Sequence, residues 1–433
     1  MNLPGTYEAV LRGSPRQALI AGTIAFFGGF AAVALFNITV QSLAPLLGLG
    51  IIEIGVLVSI PMSTGALMRI PFSAWVETLG GRRVLLIQLF IASLGMMGII
   101  LTIYFFSEGI LRNKLLTYCL LLLFGALAGV GISVFSPGVT YVSYWFPKTK
   151  QGTALGIYAG LGNTAPGIFT AILPHVLAIL GLLGAYIVWL AFLLSTAIVF
   201  FLIGHDAYYY QLIRRGLSRE EALREAARRG EELFPTYSAV KSLKISAMNW
   251  RVWLLVIMYM TSFGGFVALT AWLPTYWTKY IGVSSAMAGF LTGVLFSLLT
   301  SLIRVAGGYL SDKLGGEIVA LYSYATVLAG SIIFITSRDF TTSLLGEIVT
   351  GVGMGMANAA VFKMVPKYAP EAVGGASGWV GGIGAAGGLL FPPILALFVF
   401  VFGLPGYAIG FVLFVIFSIV SILFSMILRG EEK

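Results

Sequence analysis

Apolar residues in this chain do not alternate with polar ones at a strand period, nor do they fill only one stripe of a helix. They run almost unbroken for about 20 residues or more, again and again. Twelve such runs can be placed, near 18–43, 52–75, 84–106, 115–145, 152–180, 183–204, 252–274, 285–311, 317–336, 340–365, 374–402 and 405–428. Each is long enough to cross ~30 Å of hydrocarbon as a helix. Backbone polar groups in lipid must be satisfied within the segment, which favours helix over open strand. The pattern predicts an all-α membrane protein of twelve transmembrane helices. Only one break is long and polar, 205–250, where Ser218-Arg-Glu-Glu221 has the capping-box spacing that opens a short charged helix to about Arg229. The expected organisation is a six-helix bundle over 1–204, a solvated cytoplasmic linker over 205–250 and a second six-helix bundle over 251–433.

Composition sharpens this. Hydrophobic residues make up 58% of the 433 residues, charged residues 10%, and the mean hydropathy is +0.96. A soluble chain carries about 25% charged residues, so a soluble enzyme is excluded. The net charge of +9 would suggest nucleic acid in another context. Here 20 of the 26 lysines and arginines fall on one side of the predicted spans, including Arg82, Arg83, Lys148, Lys313, Lys363 and the whole 205–251 connection. By the positive-inside rule both termini are expected in the cytoplasm, with the protein a multi-pass component of the plasma membrane. The first apolar run is too long for the core of a cleaved signal peptide. Cys119 stands alone and histidines number two, so neither an internal disulfide nor a His-rich metal site is expected. No cofactor, metal or nucleic acid enters the reading; the lipid bilayer is the one macroscopic partner, and the protein is expected to be a monomer.

Two of the 26 cations lie inside apolar runs: Arg69 and Arg304. A charge at the helix centre costs at least ~2.5–3.5 kcal/mol, which makes it a functional candidate by default. Each arginine is followed eight positions later by an acid and then Leu-Gly-Gly. The first copy runs from Arg69 through Glu77 and the second from Arg304 through Asp312, an offset of 235 residues. Phe27-Gly-Gly-Phe30 recurs as Phe263-Gly-Gly-Phe266, and Phe146-Pro-Lys148 as Val365-Pro-Lys367. Gly156, Gly160 and Gly162 then correspond to Gly378, Gly382 and Gly384. Such a parallel duplication, joined by a polar linker, is the layout expected of major facilitator transporters, with cargo at midplane between the halves. The arginines lie ~12 Å along their helices from the acids. No Asp or Glu shares their depth, so an anion is the expected partner. The guanidinium fork matches planar oxyanions bidentately, as a lysine cannot.

The remaining candidates are fewer. Glycines at 156–162 and 378–388 read as close helix packing, which leaves only a small cavity between the walls. Gly382-Ile-Gly-Ala-Ala-Gly387 fits the dinucleotide fingerprint by letter, but no strand precedes it. Asn163 offers an uncharged donor on that wall. Glu347 is the one embedded acid. It is the candidate for proton coupling, against the alternative of a buried, hydrogen-bonded acid. Glu77 and Asp312, with Arg82, Arg83 and Lys313, resemble the cytoplasmic loop motif of the major facilitator superfamily, and that resemblance implies ion pairs that latch one conformation. No nucleophile–base pair appears, so no enzyme is expected.

The segments Phe146-Pro-Lys-x-Lys-Gln-Gly through Gly156-x-x-x-Gly160-Leu-Gly162-Asn163, and Gly378 through Gly388, resemble the two signatures of the nitrate/nitrite porters of the major facilitator superfamily. The stretches around Arg69, Tyr259 and Arg304 are also similar, so the resemblance covers both halves. The chain departs from it at Pro166 and at Leu390 and Phe391. The resemblance implies that Arg69 and Arg304 clamp nitrate or nitrite, that Asn163 and Tyr259 donate hydrogen bonds, and that Phe30, Phe135 and Phe263 close over the planar ion. It implies nitrate/nitrite exchange by alternating access. Nitrate–proton symport and a formate- or oxalate-type carboxylate carrier are the alternatives.

Overall fold

The computed structural model describes residues 11–430. Every regular element in it is helical. In chain order the helices used below are α1 (Pro15–Phe30), α2 (Ile51–Leu79), α3 (Gly81–Ser107), α4 (Lys114–Gly129), α5 (Phe135–Trp145), α6 (Gln151–Gly162) and α7 (Ala165–Ile203). After these come α8 (Arg219–Arg228), α9 (Ala239–Met248), α10 (Trp250–Tyr259) and α11 (Gly265–Thr275). The last are α12 (Leu299–Leu314), α13 (Gly316–Thr336), α14 (Phe340–Tyr368), α15 (Val373–Ala385), α16 (Gly387–Phe402) and α17 (Val412–Gly430).

Among the described residues, 11 helical stretches are long and apolar enough to cross a membrane. One of them, Lys148–Ile203, is 56 residues long, about twice the length a crossing needs. It is broken at Gly181, whose backbone (φ 69°, ψ −178°) is non-helical. The break falls between the runs expected at 152–180 and 183–204, so this stretch carries two crossings. The exterior is apolar, with Ile179, Phe400 and Phe90 exposed, as a lipid-facing surface requires.

The repeated Leu-Gly-Gly has a structural reason. Gly80 (φ 80°, ψ 153°) turns α2 into α3, and Gly315 (φ 89°, ψ 146°) turns α12 into α13. This region of backbone space is essentially closed to residues with a Cβ. The two repeats therefore share one tight turn on the side of the molecule where the linker lies.

The linker departs from its expectation. The capping box is present: the Ser218 side chain accepts from Glu221 N, and the Glu221 carboxylate accepts from Ser218 N at 3.1 Å. But 205–250 is more than a solvated tether, since part of it is docked. Tyr210 donates to the Val76 carbonyl at 2.8 Å, Arg214 to the Leu79 carbonyl at 2.8 Å, and Arg214 pairs with Asp206 at 2.7 Å. Helix α9 lies against both α2 and α15. Its charged residues divide: Glu220, Arg224, Arg228 and Lys241 face solvent, while Asp206 and Arg214 serve the helix ends.

Because a Cβ on Gly315 would meet only the Glu317 Oε2, at an ordinary contact distance of 3.4 Å, Gly315→Ala isolates the conformational cost of that turn. It should destabilise the protein by about 1–3 kcal/mol, read as a lower thermal midpoint in detergent.

Candidate functional site

The site residues sit where regular helix fails. Phe30 ends α1 as it tightens into a 3₁₀ turn, and Phe135 opens α5 after another. Tyr259 ends α10 where the chain loosens into a π turn that carries Phe263. Asn163 is the C-cap of α6. Such irregular turns redirect side chains and are frequent at functional sites. The repeated Phe-Gly-Gly-Phe marks two of these breaks. A Cβ on Gly29 would lie 2.4 Å from the Gly131 carbonyl oxygen, so the end of α1 and the 3₁₀ turn before α5 meet backbone to backbone.

The breaks converge on the two arginines. Arg69 is 2% exposed and Arg304 1%. The Arg69 guanidinium carbon lies 5.0 Å from the centre of the Phe135 ring and 5.2 Å from that of Phe263. Arg304 lies 5.2 Å from the same Phe135 ring, with Phe362 and Tyr259 at 5.9 and 6.0 Å. Both cations thus share one aromatic ring, although they come from opposite halves. Two unit charges about 10 Å apart repel by ~1.7 kcal/mol at an effective dielectric of about 20, and this pair can be no further apart than that. Cation–π contacts, ~0.5–2 kcal/mol each, offset the repulsion.

Hydrogen-bonding capacity is left over. Arg69 Nη1 donates to the Gly381 carbonyl at 2.8 Å, so the expectation of an arginine without any protein partner is corrected. That partner is backbone, in α15 of the other half, and carries no charge. Arg69 Nε, Arg304 Nε and Nη1, Asn163 Oδ1 and the Tyr259 hydroxyl are buried without a hydrogen bond. A buried polar atom left unmade costs about 1–3 kcal/mol, more for a charged group. Their clustering marks a place built for a guest.

A cavity of about 310 Å³ reaches this place from one side. Phe30, Arg69, Asn163 and Phe263 line it, with Val58 and Met62 further along α2. It therefore lies on the side of Arg69 away from Glu77 and the linker. Phe135, Tyr259 and Arg304 are buried beneath it. Three aromatic planes there are almost parallel: Phe135 with Tyr259 (2°) and Phe263 (4°), and Tyr259 with Phe263 (5°). Phe362 stands edge-on to Phe135 at 5.0 Å and to Tyr259 at 4.7 Å. Sequence reasoning passed over Phe362, which no repeat or charge marks.

The signature glycines hold the halves together below the site. A Cβ on Gly156 would come within 2.9 Å of the Arg304 carbonyl oxygen, and one on Gly160 within 2.9 Å of the Ser301 carbonyl. Gly378 and Gly382 meet the Ile70 and Ala66 carbonyls in the same way, at 2.8 and 3.0 Å. So α6 lies against α12 and α15 against α2, each arginine helix clasped by a glycine helix of the opposite half. Gly162 and Gly384 make room for Phe26 and Tyr259.

At the linker end both acids reach across the seam, but not to the expected cations. Asp312 accepts from Gly152 N at 2.8 Å and from Thr153 N and Oγ1 at 2.7 Å, and pairs with Lys363 at 2.6 Å. Glu77 accepts from Gly374 N at 2.7 Å and from the Tyr144 hydroxyl at 2.8 Å. Each acid thus caps the first turn of a helix in the other half, where unpaired N–H groups and the helix dipole favour an anion. Arg83 and Lys313 are exposed, while Arg82 donates to the Phe201 carbonyl and, through its backbone, to Asp206. The expected latch of ion pairs with Arg82, Arg83 and Lys313 is corrected on this point. Glu347 is fully buried, accepts from Trp277 Nε1 and does not line the cavity.

A duplicated helical bundle, sealed at one end and hollow at the other, with charged groups at its waist, defines a membrane transporter. The chain belongs to the Major Facilitator Superfamily, whose sequence profile matches residues 19–392 and 278–433. It is 30% identical to the probable nitrate/nitrite antiporter NarK1 of Thermus thermophilus, over 93% of this chain and 89% of that one. It is 27% identical to the nitrite extrusion protein of Bacillus subtilis, over 90% and 88%. In fold it is similar to the Escherichia coli fucose:proton symporter FucP, with a TM-score of 0.70 at 14% identity over 95% of this chain and 99% of that one. A double-tryptophan variant of XylE gives 0.72 at 15% identity over 96% and 95%.

Loss of the Asp312 charge should weaken the cap by about 1.5–3 kcal/mol. Asp312→Asn is therefore expected to speed backbone hydrogen exchange at Gly152 and Thr153 about tenfold or more, while Lys313→Gln leaves it unchanged.

Proposed function

We propose that this transporter carries small planar oxyanions by alternating access and that its physiological cycle is nitrate/nitrite exchange across the plasma membrane, with the linker face in the cytoplasm. The observation that carries the reading is the meeting of Arg69 and Arg304, one from each half, on a single aromatic ring, with unpartnered N–H groups and, among the described residues, no carboxylate paired with them. The names of the relatives support nitrate and nitrite as the cargo.

The cycle follows from charge. The empty site holds two fixed cations in low dielectric, which repel each other and resist desolvation. A monovalent ion entering from the cavity first meets Arg69 and Asn163. It competes with the Gly381 carbonyl for the Arg69 fork, since a charged acceptor makes the stronger hydrogen bond. Arg304 and the Tyr259 hydroxyl supply donors from the other half. A bound ion lowers the repulsion and frees Arg69 from α15, one of the rungs joining the two halves, so the loaded carrier rocks more readily than the empty one. Exchange results when reorientation without cargo is slow. Nitrate–proton symport would need a carboxylate coupled to the ion, and Glu347 lies off the cavity, held by Trp277.

Uptake of labelled nitrate into proteoliposomes tests this. Uptake should require internal nitrite or nitrate, and internal chloride or buffer should not replace them. An imposed pH gradient should not drive it, and Glu347→Gln should leave the pH dependence unchanged. Arg69→Gln and Arg304→Gln should each lower apparent nitrate affinity by about 100-fold or more, given ~1.5–3 kcal/mol for each charged hydrogen bond lost. Equal exchange of formate or oxalate would assign the protein to carboxylate carriers instead.

A further inference from the structure

The cavity that ends at Arg69 is far larger than the ion proposed for it. Its volume of about 310 Å³ has room for about ten waters at their liquid share of ~30 Å³ each, whereas nitrate has four atoms. It is also deep. On α2, Val58, Met62, Ala66 and Arg69 line it at successive turns of one helical face, so that wall runs ~16 Å along the helix from the cation. In the other half Phe263, Val267 and Thr270 line it at the same helical spacing.

The chemistry of this shaft is uneven. Its one charged lining residue is Arg69, which keeps an unpartnered Nε, with Asn163 and its unpartnered Oδ1 also on the wall. Elsewhere the polar side chains among the lining residues are Ser59, Thr270 and Ser297. An apolar wall offers a small hydrated anion nothing to hold. The shaft has instead the make-up of a site for a larger organic guest, about 300–1,000 Å³ and mostly apolar, with a few polar groups converging at one place. Its walls belong to opposite halves and meet when access passes to the linker side. Open, they leave apolar surface facing water, and covering that surface is favourable.

We infer that the shaft is a binding site for monocarboxylates with a flat apolar body, and that such a guest arrests the carrier. The inference rests on the alternating-access reading. The carboxylate takes the place of nitrate, two oxygens against the Arg69 fork. The body then lies between Val58 and Met62 on one wall and Val267 on the other, where each ring buried adds affinity. While it stays, the walls cannot meet and the site cannot turn to the linker side. Nitrate leaves the shaft empty and has no such effect. The same pair of planar oxygens is thus cargo or stopper according to what is attached to it.

Competition against labelled nitrate in lipid nanodiscs reads binding, and nitrate/nitrite exchange in proteoliposomes reads arrest. Formate, benzoate and 4-phenylbenzoate share the head and lengthen the body. The competition constant should fall about tenfold or more for each ring added. The uncharged 4-phenylbenzyl alcohol should not compete. The longest acid should stop exchange without being carried itself. Val267→Ser and Met62→Ser should each shrink the ratio of the formate to the 4-phenylbenzoate constant about fivefold, a ratio in which any general loss of anion binding cancels. The site is overturned if the three acids compete equally, if the alcohol matches the acid, or if neither substitution moves the ratio. Uptake of labelled 4-phenylbenzoate against internal nitrite overturns the arrest. If nitrate binds but does not exchange, the exchange reading fails and the arrest with it, while the ratio still decides the binding site. If nitrate does not bind at all, the anion reading and the shaft fall together.

Discussion

Two buried guanidinium groups, without a carboxylate partner among the described residues, are the constraint on which this structure turns. Burying a charge in a protein interior costs several kcal/mol even after relaxation. The chain meets that cost with ring faces, one backbone carbonyl and a cavity that admits water or an ion from one side. None of these neutralises the cations. The fold is therefore least comfortable when nothing is bound, and the proposed cargo is what relieves it.

The rest of the architecture keeps those cations apart from water on the linker side. Glycines let α6 approach α12, and α15 approach α2, closely enough to seal the seam. Below them each acid binds the first turn of the opposing helix. Acid-to-helix-end contacts suit a surface that has to separate and close again, since both members are well solvated once apart. A seam of interlocked apolar side chains would expose grease each time it opened.

Much of this could be read from the sequence. The spans followed from the apolar runs, and Arg69 and Arg304 announced themselves as charges out of place, repeated at one spacing. Their shared ring was less visible: Phe135 was reached through family resemblance, and Phe362 not at all, because an aromatic residue in an apolar helix carries no mark. The latch was misread for a physical reason. The partners of Glu77 and Asp312 are backbone N–H groups, which every residue has, so a search among charged side chains settles on Arg83 and Lys313. The linker was misread similarly. Its polar side chains look solvated in sequence, yet Tyr210 and Arg214 reach helix-end carbonyls that no sequence pattern displays.

The near-parallel planes of Phe135, Tyr259 and Phe263 carry one more consequence. Their centres lie 5.0–6.2 Å apart, closer than the ~7 Å that would admit an ion between two faces, so the aligned rings form one flat stack rather than a slot. A trigonal ion can lie flat beside such a stack, whereas a tetrahedral one such as sulfate or phosphate presents a third dimension from every approach. Selectivity against the abundant bulky anions of a cell would then be a matter of shape, leaving the two arginines to choose only among flat guests.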